Sequence, residues 1–187
     1  MTRTGFAALL GAALCNTGAL AENWVAVPAN STVKFSAVQQ GAEFEGVFSK
    51  FTATFDLDPA NPTLARIEAT IDMDSVDTLY DERDEYLRGE EWFHVERWNT
   101  ARFVTERIKK ADTGYMADGL LTMRDQTQPV ALAFSLEQLP DGQLRFAGKT
   151  LIRRLEFGVG QGQWTNTEWV GNEVTVEADL VLETALP

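Results

Sequence analysis

Acidic side chains are the residues of this sequence best suited to acid–base chemistry. Asp74, Asp77, Asp81 and Glu90 lie within one short interval, and paired carboxylates can donate and accept protons. A carboxylate-dependent enzyme is therefore one hypothesis. The spacing gives it little support, because Asp72 and Asp74 alternate with apolar neighbours as the polar face of a strand does. We expect no catalytic residue in this interval and no enzyme.

Metal and thiol chemistry have few residues to draw on. The chain contains one histidine, His94, and one cysteine, Cys15, whereas zinc sites combine several such ligands. His94 stands among glutamates, a pattern typical of a solvated face. The glycine-rich run 158–162 is not followed by the apolar periodicity of a helix, so it is not a phosphate loop. We expect neither a metal site nor a cofactor.

Charge and the first residues narrow the class of partner. The chain has 28 acidic and 16 basic residues and a net charge of −12, which argues against nucleic acid and against anionic membrane surfaces. Residues 1–21 have the pattern of a cleavable signal peptide, with Arg3, an apolar run and a small-x-small end at Ala21. We therefore predict export of residues 22–187 as a single domain, with no stable membrane insertion.

The elements that must position these side chains are strands. Apolar and polar residues alternate with a period of two from residue 33 onward, including a continuous run from Val47 to Leu57. Asp112-Thr113-Gly114 and Pro140-Asp141-Gly142 are hairpin signals. Short connections favour antiparallel neighbours, and about eight strands with one apolar face can close on themselves or form two sheets. The interval 77–99 lacks this period and predicts one or two short helices.

Aromatic residues are abundant for a chain of 187 residues, with eleven Phe, five Trp and three Tyr. Many of the phenylalanines fall on the apolar face of successive strands. An eight-stranded barrel can fill its interior with such side chains or can hold one small ligand. The pattern alone leaves both alternatives open.

The order and spacing of several motifs resemble the YceI-like family of lipocalin-like, polyisoprenoid-binding proteins. The resemblance covers nearly all of the chain after residue 21. It rests on Ser75-Val76-Asp77-Thr78, Arg83-Asp84, Leu87, Trp92-Phe93, Val95 and Phe103, and further on Gly46-Val47-Phe48, Phe55-Asp56, Gly119 to Met123 and Arg154 with Phe157-Gly158. Asn30, Tyr86 and Asn99 depart from the family pattern at predicted mouth and turn positions.

This resemblance implies an all-β fold, an eight-stranded antiparallel barrel with the one or two helices of the interval 77–99 at its side. It further implies a periplasmic binding protein that holds the polyprenyl or quinone-type tail of an isoprenoid lipid in an apolar cavity. Two alternatives are a filled barrel that serves as a stress-response interaction module and, with less support, a carboxylate-dependent enzyme acting on a lipid. The resemblance leaves open whether the protein has a membrane redox or lipid-handling partner and whether it forms a homodimer.

Strand phase combined with the resemblance gives the candidate site. Arg83 and Arg154 are candidates for the head group of the ligand, with a structural hydrogen-bonding role as the alternative. The predicted apolar lining consists of Phe35, Phe51, Phe55, Ile71, Trp92, Phe93, Phe103, Leu132, Phe134, Phe146 and Leu180.

Overall fold

Eleven strands and one α-helix make up the computed structural model, which describes residues 21–185. The predicted signal peptide lies, apart from Ala21, outside the described residues. The elements are β1 (Glu22–Ala26), β2 (Thr32–Gln39), β3 (Ala42–Phe48), β4 (Phe51–Leu57), β5 (Arg66–Asp72), β6 (Val76–Asp77), α1 (Asp81–Arg88), β7 (Thr100–Lys110), β8 (Tyr115–Met123), β9 (Gln126–Gln138), β10 (Leu144–Arg153) and β11 (Glu173–Thr184). Five short 3₁₀ helices lie between them, at Pro28–Asn30, Pro62–Leu64, Met73–Ser75, Arg154–Phe157 and Gly162–Thr165.

Eight of the strands close into an antiparallel barrel. Their order is β1-β4-β5-β7-β8-β9-β10-β11, and β11 returns to β1 through the pair Trp24 and Thr184. Each of these strands is paired on both sides along at least part of its length. The predicted eight-stranded antiparallel barrel with a short helix in the interval 77–99 is therefore confirmed.

The remaining three strands, β2, β3 and β6, extend the sheet from β11, and we call them the flap. One edge of β11 is shared, since its last residues pair with β1 and its residues 175–179 pair with β2. β3 continues from β2, and β6 from β3. The helix α1 follows β6 directly.

Both predicted hairpin turns are present. Gly114 connects β7 to β8 with φ at +71°, and Gly142 connects β9 to β10 with φ at +78°. Glycine adopts such left-handed values without the steric cost that a Cβ atom would add.

The predicted continuous strand from Val47 to Leu57 is wrong in its first residues. The chain turns at Ser49 and Lys50, and the backbone N–H of Lys50 donates to Ser75 Oγ at 3.0 Å. β3 pairs with β2 and β6 and not with β4. The alternation of inward and outward side chains therefore starts anew after the turn at Ser49 and Lys50. Phe48 is consequently buried at 7% exposure, whereas Val47 is 37% exposed.

The helix α1 is tied to the flap by a buried carboxylate. Asp84 Oδ1 accepts hydrogen bonds from the backbone N–H of Thr78 at 3.0 Å and from its hydroxyl at 2.7 Å. The helix begins at Asp81 with Tyr80 as its N-cap. Asp81 and Glu82 thus stand in the first turn, where negative charge complements the helix dipole.

The interior of the barrel has two parts. At one end, which we call the packed half, side chains from different strands fill the barrel: Trp24, Leu57, Leu144 and Leu182 are all buried there. The other end, which we call the hollow half, carries α1 and the loop 158–171. The backbone N–H groups of Gly160 and Gln161 join this loop to the carbonyl of Glu91, at 2.8 and 2.7 Å.

Candidate functional site

The hollow half encloses an apolar cavity of about 170 Å³. All but three of its lining residues are apolar, the exceptions being Thr52, Thr150 and Arg154. Walls of this composition offer almost no hydrogen bonds to a ligand, so the cavity suits a hydrocarbon chain better than a polar molecule.

Ten of the eleven predicted lining residues face this cavity. The predicted lining residues that do face the cavity are Phe35, Phe51, Phe55, Ile71, Trp92, Phe93, Phe103, Leu132, Phe146 and Leu180. Their role as ligand contacts stays a prediction.

Phe134 is the predicted lining residue that the structure places elsewhere. Its side chain is buried, as the phase of β9 predicts, but it lies between two other rings. The ring centroid of Phe134 is 5.1 Å from that of Phe146 and 5.4 Å from that of Tyr115. Phe134 therefore belongs to the packed half, below the floor of the cavity.

Several lining residues escape sequence reasoning. Phe44 and Phe48 come from β3, whose phase the sequence misplaces, and Leu87 comes from α1. The small residues of the wall are not aromatic, so the abundance of aromatic residues does not point to them. They are Ala37, Ala53, Ala69, Ala101 and Ala178.

The floor of the cavity is a contact between rings from strands that are not neighbours in the barrel. Phe55 on β4 and Phe146 on β10 have ring centroids 5.2 Å apart. Aromatic pairs at such separations are favourable beyond their buried area. This pair separates the hollow half from the packed half.

Arg154 fastens the loop 158–171 over the hollow half. The side chain is 3% exposed, and its Nε donates to the carbonyl of Gly171 at 2.9 Å. Its Nη1 donates to Val159 at 2.9 Å, and its Nη2 donates to Trp164 and Val170 at 2.6 and 2.7 Å.

These bonds take up nearly the full donor capacity of a guanidinium group. Burial lowers the pKa of Arg154 from its ordinary value, and no carboxylate among the described residues forms an ion pair with it. The hydrogen bonds of Arg154 therefore support the structural alternative for this residue over recognition of a head group.

Arg83 occupies a different environment, in a vestibule next to the cavity. The vestibule has a volume of about 240 Å³ and shares Phe44, Leu87, Trp92 and Val170 with the cavity wall. The guanidinium carbon of Arg83 lies 4.1 Å from the centroid of the Phe44 ring. Stacking of this kind leaves the edge of the guanidinium group available for hydrogen bonds.

Trp92 is a wall residue of both spaces. It is 8% exposed, and its indole N–H is buried and has no hydrogen-bond partner among the described residues, as is also true of the indole N–H of Trp24 in the packed half. Buried N–H groups are normally paired, and no sequence signal marks either group as unpaired.

The acids considered for catalysis do not converge. Asp74 Oδ1 lies 3.2 Å from Arg88 Nε, and Asp77 Oδ1 accepts the backbone N–H of Leu79 at 2.8 Å. Asp81 and Glu90 are exposed. Residues 21–185 contain no cluster of three or more His, Cys, Asp or Glu side chains arranged to hold a metal ion.

His94 packs against an aromatic ring and not against a group of ligands. Its ring centroid lies 5.2 Å from that of Trp98, and the two rings are nearly perpendicular.

In the part of the chain that the structure describes, no helix has the length and apolar character needed to span a membrane.

A closed antiparallel barrel with an apolar internal cavity places the chain in the broad class of lipocalin-like proteins. The model of the YceI-like domain matches residues 24–182. The chain belongs to this family.

Curated relatives agree with that assignment. A UPF0312 protein of Shewanella oneidensis is 28% identical over 98% of both chains. A UPF0312 protein of Photorhabdus laumondii is 36% identical over 46% of this chain. The latter match spans 45% of the Photorhabdus protein, about half its length.

Solved structures share the fold. BcnA of Burkholderia cenocepacia has a TM-score of 0.80 at 30% identity, over 83% of this chain and 98% of BcnA. A polyisoprenoid-binding domain of Saccharophagus degradans has a TM-score of 0.67 at 14% identity, over 88% of this chain and 99% of that domain. At that identity the second likeness concerns the fold alone.

Proposed function

We propose that this protein is an exported carrier that holds the tail of an isoprenoid lipid, of polyprenyl or quinone type, in the cavity of the hollow half. The observation that carries the proposal is the apolar wall of the cavity, in which only Thr52, Thr150 and Arg154 are polar. Each buried CH₂ group contributes about 0.8 kcal/mol of transfer free energy. A branched hydrocarbon tail therefore gains affinity from such a wall without polar contacts.

The fold supports the same ligand class. The barrel of Saccharophagus degradans that resembles this chain is a polyisoprenoid-binding domain. The filled-barrel alternative, an interaction module, requires a solid interior, whereas the hollow half contains a cavity. The enzyme alternative requires acids that meet in a cleft, and Asp74, Asp77, Asp81 and Glu90 do not.

The vestibule is the proposed position of the head group. Arg83 is the proposed donor to it, since Arg83 lines the vestibule and Arg154 is committed to the loop carbonyls. A guanidinium group only donates, so it suits a head group with carbonyl, hydroxyl or phosphate oxygens. No further cofactor is needed for such a carrier.

The proposed setting is the periplasm, reached by means of the signal peptide of residues 1–21. A carrier of this kind exchanges its lipid with a membrane or with a lipid-handling protein. The net charge of −12 argues against nucleic acid as a partner.

Lipid extraction from the protein purified from its native host, followed by mass spectrometry, tests the ligand class directly. We expect an isoprenoid lipid in stoichiometric amount. The matched experiment titrates delipidated protein with prenyl alcohols, using quenching of tryptophan fluorescence. Absence of an isoprenoid from the extract together with absence of binding in the titration contradicts the proposal.

Variants connect the result to the cavity. Ala178→Leu adds bulk to the cavity wall and should weaken prenyl alcohol binding, whereas Ala133→Leu adds the same bulk to the outer surface of β9 and should not. Equal effects of the two substitutions contradict a ligand inside the barrel.

The head-group position is tested separately with Arg83→Met, since Arg83 lines the vestibule and not the cavity. The variant should leave the binding of a prenyl hydrocarbon without a head group unchanged within about twofold, because the apolar wall is retained. It should weaken the binding of a prenyl compound with an oxygen-bearing head group by about fivefold or more, as expected for a lost hydrogen bond. Equal losses for the two probes contradict the assignment of the vestibule.

A further inference from the structure

Three phenylalanine rings of the cavity wall occupy space that a neighbouring residue leaves free. A Cβ atom placed on Gly46 would lie 2.5 Å from Cζ of Phe35, and one on Gly148 would lie 2.7 Å from Cε1 of Phe146. A Cβ atom on Gly119 would lie 2.7 Å from the ring of Phe103. Heavy atoms in contact are normally about 3.5 to 4.0 Å apart, so each ring fills the place of the missing side chain.

All three rings line the cavity, and all three glycines are buried residues of the barrel or its flap. Gly46 lies on β3 directly opposite Phe35 on β2. Gly148 lies two residues after Phe146 on β10, on the same face of the strand. The arrangement therefore recurs at three separate points of the wall.

We propose that Gly46, Gly119 and Gly148 set the bore of the cavity and thereby select the cross-section of the hydrocarbon chain that it admits. The inference rests on the proposed function, since it concerns the ligand tail held there. A wider bore admits methyl-branched prenyl chains, and a narrower bore favours unbranched chains.

Packing decides the direction in which the ring of Phe146 would move. Phe55 and Phe134 pack against it, with ring centroids at 5.2 and 5.1 Å. Interiors of this density do not yield readily. A methyl group at position 148 would therefore push the ring of Phe146 toward the open space, which is the lumen of the cavity.

Phe35 is confined in a comparable way. The rings of Phe44 and Phe48 flank it, with centroids at 6.1 and 5.4 Å. A Cβ atom on Gly46 would also approach Cγ2 of Thr78 at 2.8 Å. The lumen is again the side on which the ring has room to move.

Of the three positions, Gly148 is the one at which a substitution disturbs the backbone least. The atoms that a Cβ on Gly148 would meet all belong to side chains, namely those of Phe146 and Leu132. At Gly119 the new atom would also lie 2.5 Å from the backbone carbonyl oxygen of Val104, so a substitution there would disturb the pairing of β7 with β8.

The test is a competition between two alcohols of similar length offered to the delipidated protein. Geranylgeraniol carries methyl branches and oleyl alcohol carries none. We expect Gly148→Ala to lower the affinity for geranylgeraniol relative to oleyl alcohol by about four- to fifteenfold, which corresponds to lost contact for one or two methyl branches. Ala147→Val, which adds bulk on the outer face of the same strand, should leave the ratio unchanged.

A second variant keeps the proposal open to refutation where Gly148→Ala folds poorly. Phe146→Leu should shift the ratio in the opposite direction, toward geranylgeraniol. The double variant with Gly148→Ala should return toward the wild-type ratio, because the smaller side chain leaves room for the new methyl group. Unchanged ratios in these variants, with wild-type protein that binds both alcohols, overturn the role of the glycines and leave the proposed function standing.

If the wild-type protein binds neither alcohol, the proposed function fails, and the bore is examined without a ligand. Crystal structures of the wild type and of Gly148→Ala then decide the question. A Phe146 ring displaced into the lumen supports the role of Gly148, and a ring that keeps its place overturns it.

Discussion

The packed and hollow halves share most of the barrel strands but are filled differently. In the packed half, large side chains such as Leu57 and Leu182 fill the space between the strands and are almost completely buried. In the hollow half, alanines such as Ala53 and Ala178 take inward positions between larger apolar residues of the wall. The difference shows that the size of the inward residues, and not the number of aromatic rings, decides whether a barrel is solid or open.

A ligand bound in the cavity would stabilise the folded state by mass action.

The largest expected effect concerns how the hollow half keeps its shape. Arg154→Leu leaves the carbonyls of Val159, Trp164, Val170 and Gly171 without their donor. We expect the free energy of unfolding to fall by about 3 to 5 kcal/mol, because several buried acceptors lose their partner at once. Chemical denaturation monitored by tryptophan fluorescence measures the loss.

The neighbouring arginine supplies the control for that prediction. Arg153 is exposed and forms only a surface ion pair with Glu156 at 3.5 Å. Arg153→Leu should cost at most about 1 kcal/mol. Similar losses for the two variants would mean that hydrogen bonds to the loop do not hold the hollow half together.

The next effect compares equal truncations in the two halves. Leu182→Ala removes a completely buried side chain in the packed half and should lower the free energy of unfolding by about 3 to 4 kcal/mol. Leu132→Ala removes a half-buried side chain that borders the cavity, and we expect about 1 to 2 kcal/mol, because fewer contacts are lost. Denaturation of the delipidated protein decides the order, and a larger loss at Leu132 would contradict the division into halves.

The smallest effect concerns the outer surface of the barrel. Arg145 donates to Asp179 at 2.6 and 2.8 Å and lowers the pKa of that carboxyl group. The pair therefore stabilises the protein above the unfolded pKa of about 3.9, and the contribution is lost as the pH falls through the lower folded pKa.

Asp179→Asn should lower the free energy of unfolding by less than about 1 kcal/mol at neutral pH, since both side chains are about half exposed. The difference from wild type should shrink below the folded pKa. Urea denaturation at neutral and at acidic pH measures both values. A difference that grows on acidification would show that the pair does not act through the ionised carboxylate.

Alternation of apolar and polar residues predicts much of the fold and of the wall, because it reports which face of a strand is buried. It identifies residues such as Phe35, Phe103 and Leu180 as inward. It does not report the position of a residue along the barrel axis, which is why Phe134 is correctly expected to be buried and yet lies below the cavity. It also fails where the chain turns a corner, as it does after Phe48.

Polar roles were harder to predict, because they depend on contacts between distant segments. Nothing in the sequence next to Arg154 indicates that its hydrogen-bond partners lie in the loop up to Gly171. The signal that sequence reasoning missed at the wall was a small residue beside a phenylalanine, as at Phe146 and Gly148.

Shared pairing of β11 with both β1 and β2 also has a consequence for the timing of folding. β11 is the last strand of the described chain, and it supplies the ring-closing pair of Thr184 with Trp24. The barrel therefore stays open until β11 is available to pair with β1, and pairing between such distant residues is slow. In that interval the apolar faces of the earlier strands are exposed to association with other chains.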